Sequence, residues 1–232
     1  MLEVRDLRVF RGEQPVLQGL SFEVRPGEIV ALLGRNGAGR STTAMALMGL
    51  LPRQGYIAWK GLPLQDLPAH AVARAGLGYV PESRDVFPSL SVAQNLLLGE
   101  RTQRSSQAPQ WSRDELLELF PALSARLHTQ ADKLSGGEQQ MLSLCRTLLG
   151  QPQVLLVDEP AEGLSPQVVA QLGHVLNLAR QRGLAVLLIE QKLQLTLSLA
   201  DRALVLGGGR IVADLSPQAV LASEACKQWL MV

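Results

Sequence analysis

Hydrophobic and polar residues alternate from Leu2 to Val9 and again over Ser21-Phe22-Glu23-Val24, with glycine and proline between the two runs. A period of two predicts a pair of strands joined by a Gly/Pro-containing turn, and so an antiparallel sheet at the N-terminus. Further on, the pattern changes to unbroken apolar runs: Ile29-Val30-Ala31-Leu32-Leu33, Val154-Leu155-Leu156-Val157 and Ala185-Val186-Leu187-Leu188-Ile189. Such runs predict strands buried on both faces, as in a parallel sheet flanked by helices. Other strand candidates are Tyr56-Ile57-Ala58-Trp59 and Leu77-Gly78-Tyr79-Val80, which stops at Pro81. A hairpin is expected from Leu204-Val205-Leu206 and Ile211-Val212-Ala213 around the glycines at 207 to 209.

Helical spacing fills much of the remainder. Ser41 to Leu50 predicts a helix directly after the first apolar run. Ser91 with Gln94 and Ser112 with Glu115 fit capping boxes, the second opening the amphipathic run Leu116-Leu117-Leu119-Phe120. Residues from about 89 to 150 therefore predict a helical insertion between segments 1–88 and 150–232, all within a single domain spanning 1–232. Ser165-Pro166 starts a helix with Val168, Leu172, Val175, Leu176 and Ala179 on one face, and Ser216 to Val232 predicts a terminal helix packing its apolar end on the core. Arg101 to Gln110 is polar, holds a proline and is expected to be a mobile surface loop. The fold class is α/β: a mostly parallel core sheet, an antiparallel β-subdomain and a helical subdomain.

Chemistry enters at the end of the first apolar run. Gly34-Arg35-Asn36-Gly37-Ala38-Gly39-Arg40-Ser41-Thr42 is a phosphate-binding loop except that arginine stands before the serine where lysine is expected. Its glycines let successive N–H groups point at phosphates, and the following helix aims its positive end there. Ser41 is placed to bind Mg2+, Thr42 to bond a phosphate, and residue 40 to reach the β- and γ-phosphates. The guanidinium of Arg40 is charged but wide and planar, so it does not simply replace a compact ammonium. Val157 leads into Asp158-Glu159-Pro160 at the carboxyl end of a buried strand, where ligands of open α/β sheets bind. Asp158 would hold Mg2+ through a water, and Glu159 would act as general base. Leu134-Ser135-Gly136-Gly137-Glu138-Gln139-Gln140, at the start of another helical run, is a second candidate anion site, although such a segment alone is more often an ordinary helix cap.

Composition excludes more than it suggests. The 232 residues are 47% hydrophobic and 19% charged with a net charge of +1, an ordinary globular balance that gives no electrostatic footprint for nucleic acid. No apolar stretch reaches the ~18 residues of a membrane span, and a cytoplasmic protein is expected. Cys145 and Cys226 lack metal-ligand spacing and read as reduced thiols, at least one in a core. His70, His128 and His174 lie in predicted helices and read as polar surface residues.

The ordered set of the Gly34-to-Thr42 loop, the Leu134-to-Gln140 block and the Leu155-to-Pro160 acidic strand resembles the ATPase subunits of ABC transporters, over essentially the whole chain. The resemblance implies that ATP with Mg2+ is bound between two such domains packed head to tail. The phosphate loop of one would face the Ser135-Gly136-Gly137-Glu138 signature of the other. It also implies two transmembrane permease subunits, a solute-binding protein that acts indirectly, and a peripheral place on the inner face of the cell membrane. Tyr79-Val80-Pro81-Glu82, Val86-Phe87-Pro88-Ser89-Leu90, Asp158 to Leu164 and Ile189-Glu190-Gln191 look like the second ATPase of branched-chain amino acid importers. Uptake systems for urea and short amides are similar in these blocks.

In this family Glu82 stands where glutamine usually senses the γ-phosphate and helps hold the metal, Gln191 where a switch histidine is usual, and Arg11 where an aromatic stacks on adenine. Ser165 replaces an aspartate often found after the acidic strand. Arg40 and Arg11 depart even from the importer pattern. The resemblance therefore implies an ATP hydrolase whose own site is slowed by Arg40, with an intact signature to complete a partner's site. Phe87, Pro88 and Leu90 are expected contacts to membrane subunits.

Overall fold

The computed structural model describes residues 1–101, 111–191 and 193–230. The loop expectation for Arg101 to Gln110 thus falls, from 102 on, outside the described residues. The strands are β1 (Leu2–Arg11), β2 (Gln14–Val24), β3 (Ile29–Gly34), β4 (Gln54–Trp59), β5 (Leu62–Pro63), β6 (Leu77–Val80), β7 (Val154–Asp158), β8 (Ala185–Ile189), β9 (Arg202–Gly207) and β10 (Arg210–Leu215). They form a four-stranded antiparallel sheet, β2-β1-β4-β5, and a six-stranded sheet, β10-β9-β3-β8-β7-β6, in which only β10 is antiparallel to its neighbour.

Every residue of β3, β7 and β8 is buried, and successive residues serve opposite layers. Val30 and Leu32 join the core under the antiparallel sheet, whereas Leu155 and Val157 join a core capped by helices. Each such side chain contributes roughly 1.5–3 kcal/mol when fully buried, so both parities are apolar and the runs are unbroken up to Asp158 at the end of β7.

The helices are α1 (Arg40–Leu47), α2 (Ala69–Arg74), α3 (Val92–Gly99), α4 (Arg113–Leu119), α5 (Pro121–Ser124), α6 (Gly136–Leu149), α7 (Pro166–Gln181), α8 (Leu193–Leu199), α9 (Pro217–Ala222) and α10 (Glu224–Leu230). Several expectations shift. The N-terminal turn is only Gly12-Glu13, and Pro15 lies within β2 opposite Phe10, beside a register irregularity that accommodates its missing amide. Helix α1 stops at Leu47 rather than Leu50 because Gly49 takes φ 74°.

Ser91 and Gln94 form the full capping box, but Ser112 caps alone: the Glu115 carboxylate pairs with Arg182 at the end of α7 instead of turning back. An ionic partner outcompetes a backbone amide. The expected last helix is two, α9 and α10, because Ser223 is extended and caps the second segment through its Oγ to the Cys226 amide. Cys145 and Cys226 are both free and buried, and burial pushes the Cys145 thiol pKa up. The three histidines are exposed, and His128 lies in a turn rather than a helix.

Candidate functional site

The phosphate loop leaves the carboxyl end of β3, and Asp158 ends β7, with β8 between them in the sheet. That strand order brings the loop and the acidic pair together at one edge of the parallel sheet. A cavity of about 510 Å3 opens there, lined by Arg11, Gln14, Val16, Asn36, Gly37, Gly39, Arg40, Ser41, Thr42, Met45, Glu82 and Glu159.

The cradle is shaped by backbone. Gly39, the N-cap of α1, holds φ 107°, and a Cβ there would lie 2.6 Å from Leu17 Cδ2. Only glycine fits both the angle and the contact. No side chain caps this helix and its first turn carries no acid. Among the described residues the amides of Gly37 and Gly39 have no backbone acceptor. These donors, with the positive helix end, fit an anionic oxygen cluster.

Beneath the loop, Ser41 Oγ donates to Asp158 Oδ1 at 3.2 Å, and the Tyr79 hydroxyl donates to Asp158 Oδ2 at 3.2 Å. Burial raises the Asp158 pKa above the usual carboxylate range, against the lowering effect of those two hydroxyls. A hydroxyl and a desolvated carboxylate side by side form an oxygen donor set suited to a hard divalent cation such as magnesium, with Glu82 on the cavity rim. Arg40 is almost fully buried: its Nη2 donates to Glu159 Oε1 at 2.6 Å and to Asn36 Oδ1 at 2.9 Å, while Nη1 is buried without a partner. Burial also raises the Glu159 pKa, opposed by the charge of Arg40. Glu159 itself sits at φ 42°, and its amide donates to Ile189 O at 2.8 Å.

The structure therefore gathers Arg11, Asn36, Gly37, Gly39, Arg40, Ser41, Thr42, Glu82 and Glu159 around one cavity, with Asp158 directly beneath it. Gly34, Arg35 and Ala38 are not on its wall; Arg35 and Ala38 border a separate hollow toward Gly207–Gly209 and Trp229. Gln191 follows β8, half buried with its amide on Glu190, and does not line the cavity.

Ser135, Gly136, Gly137 and Glu138 do not line it either. They open α6 through a reciprocal capping box, Glu138 pairs with Arg126 at 3.3 Å, and the Arg84 guanidinium covers Gly136. Sequence reasoning did not single out Tyr79 as an Asp158 partner, nor Gln14, Val16 and Met45 as cavity wall. An aromatic ahead of Pro81 was visible; the wall residues carry no chemical signal.

Residues 17–162 match the ABC transporter family model. Over 225 residues the chain is 40% identical to the high-affinity branched-chain amino acid transport ATP-binding protein BraG of Pseudomonas aeruginosa, covering 96% of each chain. It is 34% identical to the lipopolysaccharide export system ATP-binding protein LptB of Escherichia coli, covering 95% of this chain and 92% of that one. Among solved structures, an ATP-binding subunit of an ABC transporter superposes with a TM-score of 0.83 at 28% identity, over 97% of this chain and 94% of that one. The ADP conformation of an ABC transporter's ATP-binding cassette gives 0.84 over 98% and 97%; at 22% identity it speaks to the fold alone.

Proposed function

This chain belongs to the ABC transporter ATP-binding family and is an ATP hydrolase of that type, and from this premise we propose that it powers an importer of branched-chain or related amino acids. The observation that carries the mechanism is the cluster of Arg40, Ser41 and Glu159 on the wall of a cavity formed by the phosphate loop, with Asp158 beneath it.

The loop amides and the α1 end bind the phosphates, and Thr42 and Arg40 lie beside them. Ser41 and Asp158, with Glu82 near, would hold Mg2+, which offsets the charge developing on the phosphoryl group. Glu159 takes a proton from the water that attacks the γ-phosphorus, as the bond to the β-phosphate oxygen breaks and phosphate and ADP form. Arg11 at the hairpin turn can lay its planar group against adenine, and Gln191 would follow the state of the site from the end of β8.

The Ser135-to-Glu138 turn does not line this cavity, which supports a head-to-tail dimer with a second ATPase subunit or with itself, each signature completing the other's site. A groove of about 610 Å3 lined by Phe87, Leu98, Gly99, Arg146 and neighbours, with Phe87 and Leu98 exposed beside it, supports docking of a membrane permease subunit on that face. Pro88 and Leu90 flank it on the same loop. The place proposed for it is peripheral, on the inner face of the membrane; among the described residues no helix is long and apolar enough to cross one. Higher identity to the amino-acid transport relative than to the export relative supports uptake.

A second reading, a slow or non-hydrolysing subunit that mainly lends its signature, is favoured by the burial of Arg40 against Glu159. Mg-ATP hydrolysis by the purified chain tests both. Turnover that disappears without Mg2+ is expected for a motor; tight binding with no turnover would leave only the second reading. Uptake of labelled leucine by vesicles containing the assembled transporter tests the solute, and export of a lipid instead would overturn import.

A further inference from the structure

Arg40 lines the cavity, yet its guanidinium is already engaged by protein groups. Its side chain is 4% exposed and that of Glu159 is 15% exposed, so the 2.6 Å contact between them is a desolvated ion pair. One nitrogen, Nη2, serves both Glu159 and Asn36, and the other prong, Nη1, is buried with no acceptor. A carboxylate held this way is engaged by the loop's arginine, and an unsatisfied buried donor marks an arrangement that gains by changing.

We propose that Arg40 is a positioning residue for Glu159: their ion pair clamps the carboxylate, and the phosphates of ATP compete for the same guanidinium, so that phosphate capture and release of the base are one event. The inference rests on reading the cavity as the nucleotide site and Glu159 as the base.

The chemistry runs in one direction. A terminal phosphate brings oxygens that can satisfy Nη1 as well as replace Glu159 on Nη2, matching the two-pronged geometry that distinguishes arginine from lysine. ADP, one phosphate shorter, offers less in exchange. The Glu159 backbone sits at φ 42° with its amide on Ile189 O, so the exchange asked of it is a side-chain rotation alone.

A double-mutant cycle of Arg40→Lys and Glu159→Gln in the full chain tests this, read as equilibrium ATP and ADP binding by calorimetry with magnesium withheld so that no turnover occurs. Removing the carboxylate should tighten ATP binding by roughly threefold or more in the Arg40 background. The gain should be clearly smaller in the Arg40→Lys background, and smaller for ADP than for ATP. Equal gains in both backgrounds, or none in either, would overturn the clamp while leaving the nucleotide site in place. No ATP binding by the unaltered chain would instead overturn the reading of the cavity itself. Should Arg40→Lys fail to fold, Arg40→Gln closes the same cycle with the same expected loss of coupling.

Discussion

Two glycine-bearing turns of this chain lead into helices and look alike as sequence, yet the fold treats them oppositely. At α1 the N-cap is Gly39, no side chain satisfies the amides, and the turn walls a cavity. At α6 the N-cap Ser135 and Glu138 satisfy each other's amides, Arg84 lies over Gly136, and that cavity does not extend to it. The first is a preorganised receptor whose donors await an anion. The second is a helix end whose own side chains satisfy its first amides. Leaving amides unsatisfied costs stability, and a chain sustains that cost where a ligand repays it.

Substitutions should break the comparison unequally. The largest expected effect is Glu159→Gln, lowering Mg-ATP turnover by on the order of 10²–10⁴-fold without weakening nucleotide binding; steady-state hydrolysis beside a binding titration checks it. Next come paired glycine changes. Gly39→Ala forces a Cβ toward Leu17 at φ 107° and should cost about 1–3 kcal/mol in nucleotide affinity or stability. Gly137→Ala places its Cβ an ordinary 3.4 Å from Val168 inside a helix and should leave ATP binding by the single chain intact.

Ser135→Ala should lower unfolding stability by about 1 kcal/mol and reduce turnover of the assembled dimer, with single-chain ATP affinity unchanged. Denaturant melts and nucleotide titrations separate the two effects.

Acidity sharpens the same contrast. Burial raises the Glu159 pKa against the charge of Arg40, so the acid limb of turnover should lie above the ordinary carboxylate pKa of about 4, and burial raises Asp158 likewise in the metal-free chain. The sign for stability is opposite to that of a salt-bridged acid: a raised folded-state pKa contributes stability at low pH that is lost as pH rises through it. Asp158→Asn, permanently neutral, should therefore melt higher than the unaltered nucleotide-free chain at neutral pH, by roughly 2–4 °C per kcal/mol gained. It should also lose magnesium-dependent turnover. A lower melting point would show that the hydroxyls of Ser41 and Tyr79 outweigh desolvation.

Much of this was legible along the chain because it is local. Unbroken apolar runs marked β3, β7 and β8, and Ser-to-Gln spacing marked the cap of α3. Legibility failed where a distant group took over a local one: Glu115 went to Arg182, 67 residues away, rather than to its own helix cap. It failed again where one serine, Ser223, split an apparently continuous terminal helix.

The sequence by itself determined a phosphate loop, an acidic strand end and a buried parallel sheet, because periodicity, glycine and charge act within a few residues of themselves. Only the tertiary structure decided that Arg40 rests on Glu159, 119 residues downstream, and that the signature turn does not line their cavity. Those outcomes follow from the strand order β3-β8-β7, which is set by packing of two apolar layers across the sheet and leaves no trace in the spacing of the residues it brings together.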